Sequence, residues 1–492
     1  MEDKAWEKLE SYFAKIDELS HIAGIVYYDI ETSCPIKAVE EQSELAGKLF
    51  TQIAAISQDK EFVALLKEEA AKEGLHPMRK RKVEGCLQQV ELMEKMSLEE
   101  FTNYRKLKSE SNFAWKKAKP TGDFAAWLPY WKKMIAEERR VLGLQKKPKH
   151  KTLYDVALDK YEDDSSEEQI DAIFNPLKEF LIKKIPEALK KQAQHKLPEL
   201  KPYDVDRQRH LGLAILKMID YDMDSGCLRE SVHPFSDPLG RHDARVTTRY
   251  YVEDWRANAA TCLHEGGHCI QFQNWSDEQW ENRANMLATS ALCETHSRFY
   301  ENIIGRSFAF APHLKKACAE HLDPAFGEMG LEDFYHLMNE VKPIPNRCNS
   351  DELTYCLHII IRYEIERDLI NGVIECDDVP AIWNAKYKEY LGVDVPDDGE
   401  GCMQDVHWTD GEIGYFPSYS LGNMYGAQIK ETMAKQLDFD KLIADGDLGK
   451  IRLWFAENDF CYDYMKPNDW IVKVTGEPLN PRYYIDYLDK KF

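Results

Sequence analysis

The sequence predicts a mainly α-helical protein, and three observations carry that reading. Apolar residues recur at helical spacing through long segments rich in Glu, Lys, Ala and Leu. Strand signals are confined to one short stretch, and the breaks between helical segments are brief. The chain has 492 residues, 43% of them hydrophobic, which is enough to bury one large core or two ordinary ones.

The helical pattern is clearest over residues 6–19, 40–56, 124–141 and 170–192. Breaks fall at Cys34-Pro35, His76-Pro77, Lys119-Pro120-Thr121-Gly122, Leu197-Pro198, Asp237-Pro238 and the acidic stretch from Val395 to Gly401. None is long enough for a flexible linker and no internal repeat is visible. A single body over residues 1–492 is expected, with 1–200 as a helical layer over a groove and 201–492 as the half that carries the chemistry. Residues 244–252 alternate and are rich in β-branched and aromatic side chains, which predicts a small sheet element.

Composition excludes several function classes. A formal charge of −22 repels phosphate backbones, so nucleic acid is not an expected partner; Arg79-Lys80-Arg81-Lys82 and Lys146-Lys147-Pro148-Lys149 read as solvated surface. No apolar run approaches the roughly 20 residues of a membrane span. The start, Met1-Glu2-Asp3-Lys4, lacks the basic and apolar regions of a signal peptide, so an intracellular, cytoplasmic protein is expected. The twelve cysteines are scattered singly with no Cys-x-x-Cys pair, and read as reduced core residues.

Chemistry enters at Leu263-His264-Glu265-Gly266-Gly267-His268-Cys269-Ile270. On a helix, histidines at i and i+4 project from one face, where two neutral imidazoles can grip one Zn²⁺. Glu265 then lies beside the metal as the base that takes a proton from water and passes it to a leaving amine. Ala259, Ala260, Cys262, Leu263, Ile270 and Phe272 mark a buried segment, in which unpaired imidazoles would need partners.

A catalytic zinc site usually takes three protein ligands. A third histidine six residues on is absent, since Gln271 and Asn274 stand where glycine and histidine are required. The other common choice is a glutamate from a following helix. Residues 284–304 form such a segment, with Glu294 among Ala288, Ala291, Leu292 and Phe299; Glu301 is its rival in a more polar stretch.

The motifs now assembled resemble the thermostable-carboxypeptidase (M32) family of metallocarboxypeptidases, and the likeness runs over most of the chain. It rests on His233-Pro234-Phe235, on Asp243-Ala244-Arg245-Val246-Thr247 and on the His264 to His268 stretch. It rests equally on Gly401-Cys402-Met403-Gln404-Asp405-Val406-His407-Trp408, with Gly414-Tyr415-Phe416-Pro417-Ser418-Tyr419 and Leu421-Gly422-Asn423. Weaker similarity reaches Tyr28-Asp29-Ile30-Glu31-Thr32. Two stretches depart from the family. Cys293-Glu294-Thr295-His296 keeps only the glutamate of His-Glu-Ser, and Asn346-Arg347-Cys348-Asn349-Ser350-Asp351 keeps the arginine and aspartate.

The resemblance implies a helical fold similar to neurolysin and angiotensin-converting enzyme, a deep groove, a homodimer, and a metal (Zn²⁺, with Co²⁺ or Mn²⁺ as substitutes) on His264, His268 and Glu294. It implies broad-specificity release of C-terminal amino acids from peptides with a free C-terminus. Arg347 would bind the substrate carboxylate, unless it instead pairs with Asp351. His407 is implied as an active-site histidine, Tyr415 and Tyr419 as donors to the tetrahedral intermediate, and Gln404 and Asp405 as supports. His233 and Arg245 are placed near the cleft. The rival readings are an oligo- or endopeptidase with the same zinc chemistry, and a metal- or peptide-binding protein without turnover.

Overall fold

Alternating runs of helix-forming residues and Pro, Gly or Asp breaks organise the whole chain. The computed structural model describes residues 4–282 and 287–492. Helices α1 (Lys4–Thr32), α2 (Val39–Ser57), α3 (Lys60–Ala70) and α4 (Pro77–Lys95) come first. Asp59 caps α3, accepting from the backbone N–H of Glu61 and Phe62, and Pro77 opens α4 where no N–H is needed. These helices enclose two small apolar clusters of their own, one around Trp6, Leu9, Phe13, Phe62, Leu66 and Val83, the other around Leu19, Ala23 and Leu49.

Next come α5 (Leu98–Ala118), α6 (Phe124–Gln145), α7 (Leu153–Asp159), α8 (Glu167–Gln192) and α9 (Val205–Met218). The segment at 170–192 predicted from spacing is extended to Glu167, where the Ser166 hydroxyl accepts from the Gln169 N–H. A stack of Trp127 on Trp131 at 4.8 Å, and Trp131 on Trp408 at 5.4 Å, ties α6 to the far end of the sequence.

A three-stranded sheet follows: β1 (Leu228–Glu230), β2 (Ser236–Gly240) and β3 (Asp243–Thr248), in the order β1-β3-β2. β1 runs parallel to β3 with Leu228 opposite Val246, and β2 antiparallel with Ser236 opposite Val246. The expected strand at 244–252 therefore ends at Thr248, and Tyr250 to Val252 lead instead into the cap of the next helix.

The remaining helices are α10 (Trp255–Gln273), α11 (Asp277–Glu281), α12 (Ser290–Arg298), α13 (Ala311–His321), α14 (Ala325–Glu328), α15 (Leu331–Met338) and α16 (Glu352–Ile370), then α17 (Val379–Leu391), α18 (His407–Asp410), α19 (Phe416–Met433), α20 (Phe439–Asp445), α21 (Leu448–Asn458), α22 (Pro467–Thr475) and α23 (Arg482–Lys491). The helix expected over 284–304 begins at Ser290 and passes into a π-helical segment, Phe299–Ile304; its first three residues lie outside the described ones.

The largest apolar core draws on buried residues from Met96 to Leu488. Within it α10 packs between β3, α9 and α12, α12 packs on α19, and α16 packs on α8, α17 and α19. The result is a mainly helical protein with one small sheet against α10. No helix among the described residues is long and apolar enough to cross a membrane. All twelve cysteines are free; Cys262, Cys269, Cys318, Cys356, Cys376 and Cys402 are buried as expected, whereas Cys348 is exposed.

Candidate metal and substrate site

The first part of the site is made where α10 and α12 touch. Asp254 caps α10 by accepting from the Arg256 N–H, and its carboxylate is held by the Arg256 guanidinium. Gly267 allows the close approach: a Cβ there would stand 2.8 Å from the His296 carbonyl and 3.0 Å from the Ser297 Cα. Gly422 does the same on the other side, where a Cβ would meet the Glu294 Cβ at 2.8 Å and so displace α19. Three backbones thus converge on Glu294.

This packing brings His264, His268 and Glu294 together, with one donor atom from each within 4.8 Å of the others. His264 Nε2 stands 3.7 Å from Glu294 Oε2, and the two imidazoles meet edge to face. Glu301, the rival ligand, lies behind the trio: its Oε2 sits 2.9 Å from His264 Nδ1. It also accepts from Arg298 Nη1 at 2.9 Å and faces Arg306 at 3.5 Å. The Ser297 hydroxyl donates to Glu294 Oε2 at 3.1 Å.

Electrostatics match a cation. Burial holds the His268 imidazole down at about 3, so it is neutral with a free lone pair, and its Nδ1 is buried without a partner. Against the cost of burial, the charges of His264 and Arg298 keep Glu294 below the ordinary carboxylate range. Burial opposes a charge on His264, but its hydrogen bond to Glu301 and the Glu294 charge push its pKa up, so the gap between Nε2 and the Glu294 carboxylate is one that a cation, a proton or a metal ion, fills. Burial pushes Glu265 above its usual value, with His264 and the Ser236 hydroxyl of β2 pulling the other way.

The second part is built on α16 and the 401–408 stretch. Arg347 is 8% exposed, and its Nε donates to Asp405 Oδ1 at 2.6 Å. The pairing with Asp351 left open by the sequence does not form, because the Asp351 carboxylate caps α16 instead, accepting from the N–H groups of Leu353 and Thr354 and the Thr354 hydroxyl. The other Asp405 oxygen accepts from Nε of the fully buried Arg362 at 2.7 Å.

Gln404 has its amide wholly engaged. Its oxygen accepts from the Arg347 backbone N–H and from Arg362 Nη2, and its nitrogen donates to the Pro345 and Glu400 carbonyls. Both its donor hydrogens are taken up within the protein, and its oxygen holds the two arginines, although the family resemblance had also counted it among the substrate-binding residues. The Arg347 Nη groups, by contrast, make no hydrogen bond among the described residues.

Aromatic groups join the two parts. The Arg347 guanidinium lies 5.0 Å from the Tyr419 ring, Tyr419 OH lies 3.4 Å from His407 Nε2, and Tyr415 packs edge-on to Tyr419 at 5.1 Å. Burial, then the Arg347 charge, lowers His407 to about 4, so it is a neutral imidazole. Tyr355, which the sequence did not single out, has a buried hydroxyl without a partner, and Arg298 stands 4.4 Å from its ring. Tyr355 and Tyr419 each sense the charges of both Glu294 and Arg347, so the two parts form one site.

His233 and Arg245 are less intimately placed. His233 is exposed on the β1–β2 connection, and Arg245 donates through Nε and Nη2 to Asp243 at 2.7 Å while covering Tyr28. Neither makes a hydrogen bond or ion pair to His264, His268, Glu294 or Arg347 among the described residues. Arg362 and Tyr355 were missed by sequence reasoning, and Glu301 entered it only as a rival metal ligand. The signals for them were a lone cation ending the apolar run Leu357 to Ile361, and polar residues one or two turns from a ligand or an arginine.

Comparisons with known proteins give the chain's relatives. Residues 8–492 match the family described as Carboxypeptidase Taq (M32) metallopeptidase. Carboxypeptidase 1 of Bacillus subtilis is 36% identical over 507 aligned residues, covering 100% of this chain and 99% of its own. Among solved structures, metallocarboxypeptidase 1 of Trypanosoma cruzi superposes with a TM-score of 0.93 at 31% identity, covering 99% of both chains. A Pyrococcus furiosus carboxypeptidase does so with a TM-score of 0.94 at 26% identity, again covering 99% of both. The fold is thus the helical one shared with neurolysin and angiotensin-converting enzyme. This chain belongs to the M32 carboxypeptidase family of metallopeptidases and is a peptide hydrolase.

Proposed function

We propose that the enzyme hydrolyses the last peptide bond of peptides with a free C-terminus, with His264, His268 and Glu294 holding a divalent metal ion. The observation that carries this reading is the pairing of that trio, half-buried at its two imidazoles and linked through Arg298, Tyr355 and Tyr419, with Arg347, whose Nη groups make no hydrogen bond among the described residues. Two imidazoles and one carboxylate suit Zn²⁺, with Co²⁺ or Mn²⁺ as workable substitutes. When bound, the ion lowers the pKa of its water and polarises the scissile carbonyl.

The protein groups do the rest. Glu265 accepts the proton of the attacking water and returns it to the leaving amine, a role worth about 10²- to 10⁴-fold in rate. Arg347 receives the substrate carboxylate on its Nη groups, held at the correct angle by Asp405 on Nε and Gln404 on its backbone. Because the C-terminal carboxylate is fixed, the bond one residue upstream is presented for cleavage. Neutral His407, with Tyr415 and Tyr419, supplies donors for the oxygen that gains charge in the transition state.

The Glu265→Gln variant tests the assignment, since it keeps the ligand trio and the helix. It should bind metal like wild type while losing at least 10²-fold in peptide hydrolysis. A rate close to wild type would remove Glu265 from the mechanism.

A further inference from the structure

His296 lies two residues beyond Glu294, about 200° further round the helix by its 3.6-residue turn. There it meets Asp459 and Asp463 from the connection after α21. All three side chains are 0% exposed, and one donor atom from each lies within 4.8 Å of the other two. His296 Nε2 is 3.3 Å from Asp459 Oδ1, to which Trp470 Nε1 also donates at 3.1 Å. Asp463 Oδ2 accepts from Gln271 Nε2 and Trp275 Nε1, both at 2.7 Å.

These bonds leave Asp459 Oδ2, Asp463 Oδ1, His296 Nδ1 and Gln271 Oε1 buried with no hydrogen-bond partner among the described residues. The carboxylate and amide oxygens are acceptors, and so is His296 Nδ1 when the ring donates from Nε2. The surplus is therefore of electron pairs, in a place that water does not reach. A protonated imidazole would balance one carboxylate only. A second buried carboxylate without a countercharge costs several kcal/mol, and burial accordingly pushes the Asp463 carboxyl upward when no cation is present.

We propose that His296, Asp459 and Asp463 bind a second divalent transition-metal ion, separate from the one held by His264, His268 and Glu294. One imidazole nitrogen with two carboxylate oxygens is a donor set for Zn²⁺ or Mn²⁺. Two indole N–H groups and an amide already orient the carboxylates, as outer hydrogen bonds do around metal ligands. The ion is structural, because complete burial leaves no path for substrate. It clips the stretch after α21 onto α12, and through Gln271 and Trp275 onto α10 and its C-terminal connection.

Full-length enzyme loaded with Zn²⁺ and freed of excess metal by gel filtration should retain two zinc ions per chain. The His264→Ala/His268→Ala variant should retain one, and the Asp459→Asn/Asp463→Asn variant should also retain one. A single ion in wild type that vanishes in the His264→Ala/His268→Ala variant would overturn the proposal, as would two ions in the Asp459→Asn/Asp463→Asn variant. If that last variant does not fold, anomalous scattering at the zinc edge from wild-type crystals decides. A peak between His296, Asp459 and Asp463 supports the second ion, and its absence refutes it.

Discussion

Glu301 Oε2 lies 2.9 Å from Nδ1 of His264, while Nε2 of the same ring faces Glu294 Oε2 at 3.7 Å. In the metal-bound form we propose, the first carboxylate would hold the proton on Nδ1 and so leave the Nε2 lone pair to the ion. Arg298 and Arg306 hold Glu301 in turn, and despite burial their charges, with the His264 hydrogen bond, keep it ionised.

Glu301→Gln should therefore weaken metal binding by about 10- to 100-fold while leaving the three ligands in place. Competition against a chelator of known affinity measures this. An unchanged metal affinity would mean that Glu301 does not orient His264.

Gly267→Ala places a methyl group against the backbone of α12, which cannot move aside as a side-chain tip could. The two ligand-bearing helices must separate, at a cost of about 1–3 kcal/mol in stability. Urea unfolding and metal titration of the variant should both shift. Wild-type values in both would show that the α10–α12 contact does not set the site.

Asp405 carries the two buried arginines together, and against the cost of burial their charges hold its carboxyl far below the usual range. Asp405→Asn should destabilise the fold by roughly 3–5 kcal/mol, as expected when one partner of a buried ion pair is removed. In the folded fraction, KM for a peptide with a free C-terminus should rise more than kcat falls. An unaltered KM would detach Asp405 from substrate binding.

Glu162 gives a pH signature away from the metal. Its Oε1 accepts from the Ala291 N–H in the first turn of α12 and from the Ser418 hydroxyl of α19. Burial pushes its carboxyl from 4.5 up to about 7, with those hydrogen bonds pulling it back. A folded-state pKa above the unfolded one means that the native protein binds the proton more tightly. This contribution to stability is fully present below about pH 4.5 and is lost as pH rises through about 7, by up to about 3 kcal/mol. Glu162→Gln should flatten the stability profile across that window when denaturant unfolding is followed at several pH values. A slope equal to wild type would show that Glu162 does not titrate there.

That His264, His268 and Glu294 come together was legible because the two histidines obey a local rule, the spacing of one helix face, and because a carboxylate stood at an apolar helix centre. Of the groups around them, Gln404 and Asp405 entered only through the family resemblance, and Arg362 did not enter at all. Arg362 reads as the polar end of an apolar run, and only the fold brings it to Asp405, 43 residues away in sequence. Arg347 and Asp351 sit at helix-pair spacing, yet an N-cap claims Asp351 and leaves Arg347 to a partner 58 residues on. The strand expected through Val252 stops at Thr248 because backbone pairing with β1 and β2 runs out, which residue preference alone cannot reveal.

On the proposed mechanism, Arg347 and the metal trio act together on a C-terminal peptide bond. The most direct measurement compares zinc-loaded enzyme on one peptide with a free C-terminus and on the same peptide carboxamidated. Stepwise release of C-terminal amino acids is expected from the first, and little or none from the second. Equal cleavage of both would contradict it, and would reassign the site to an oligo- or endopeptidase.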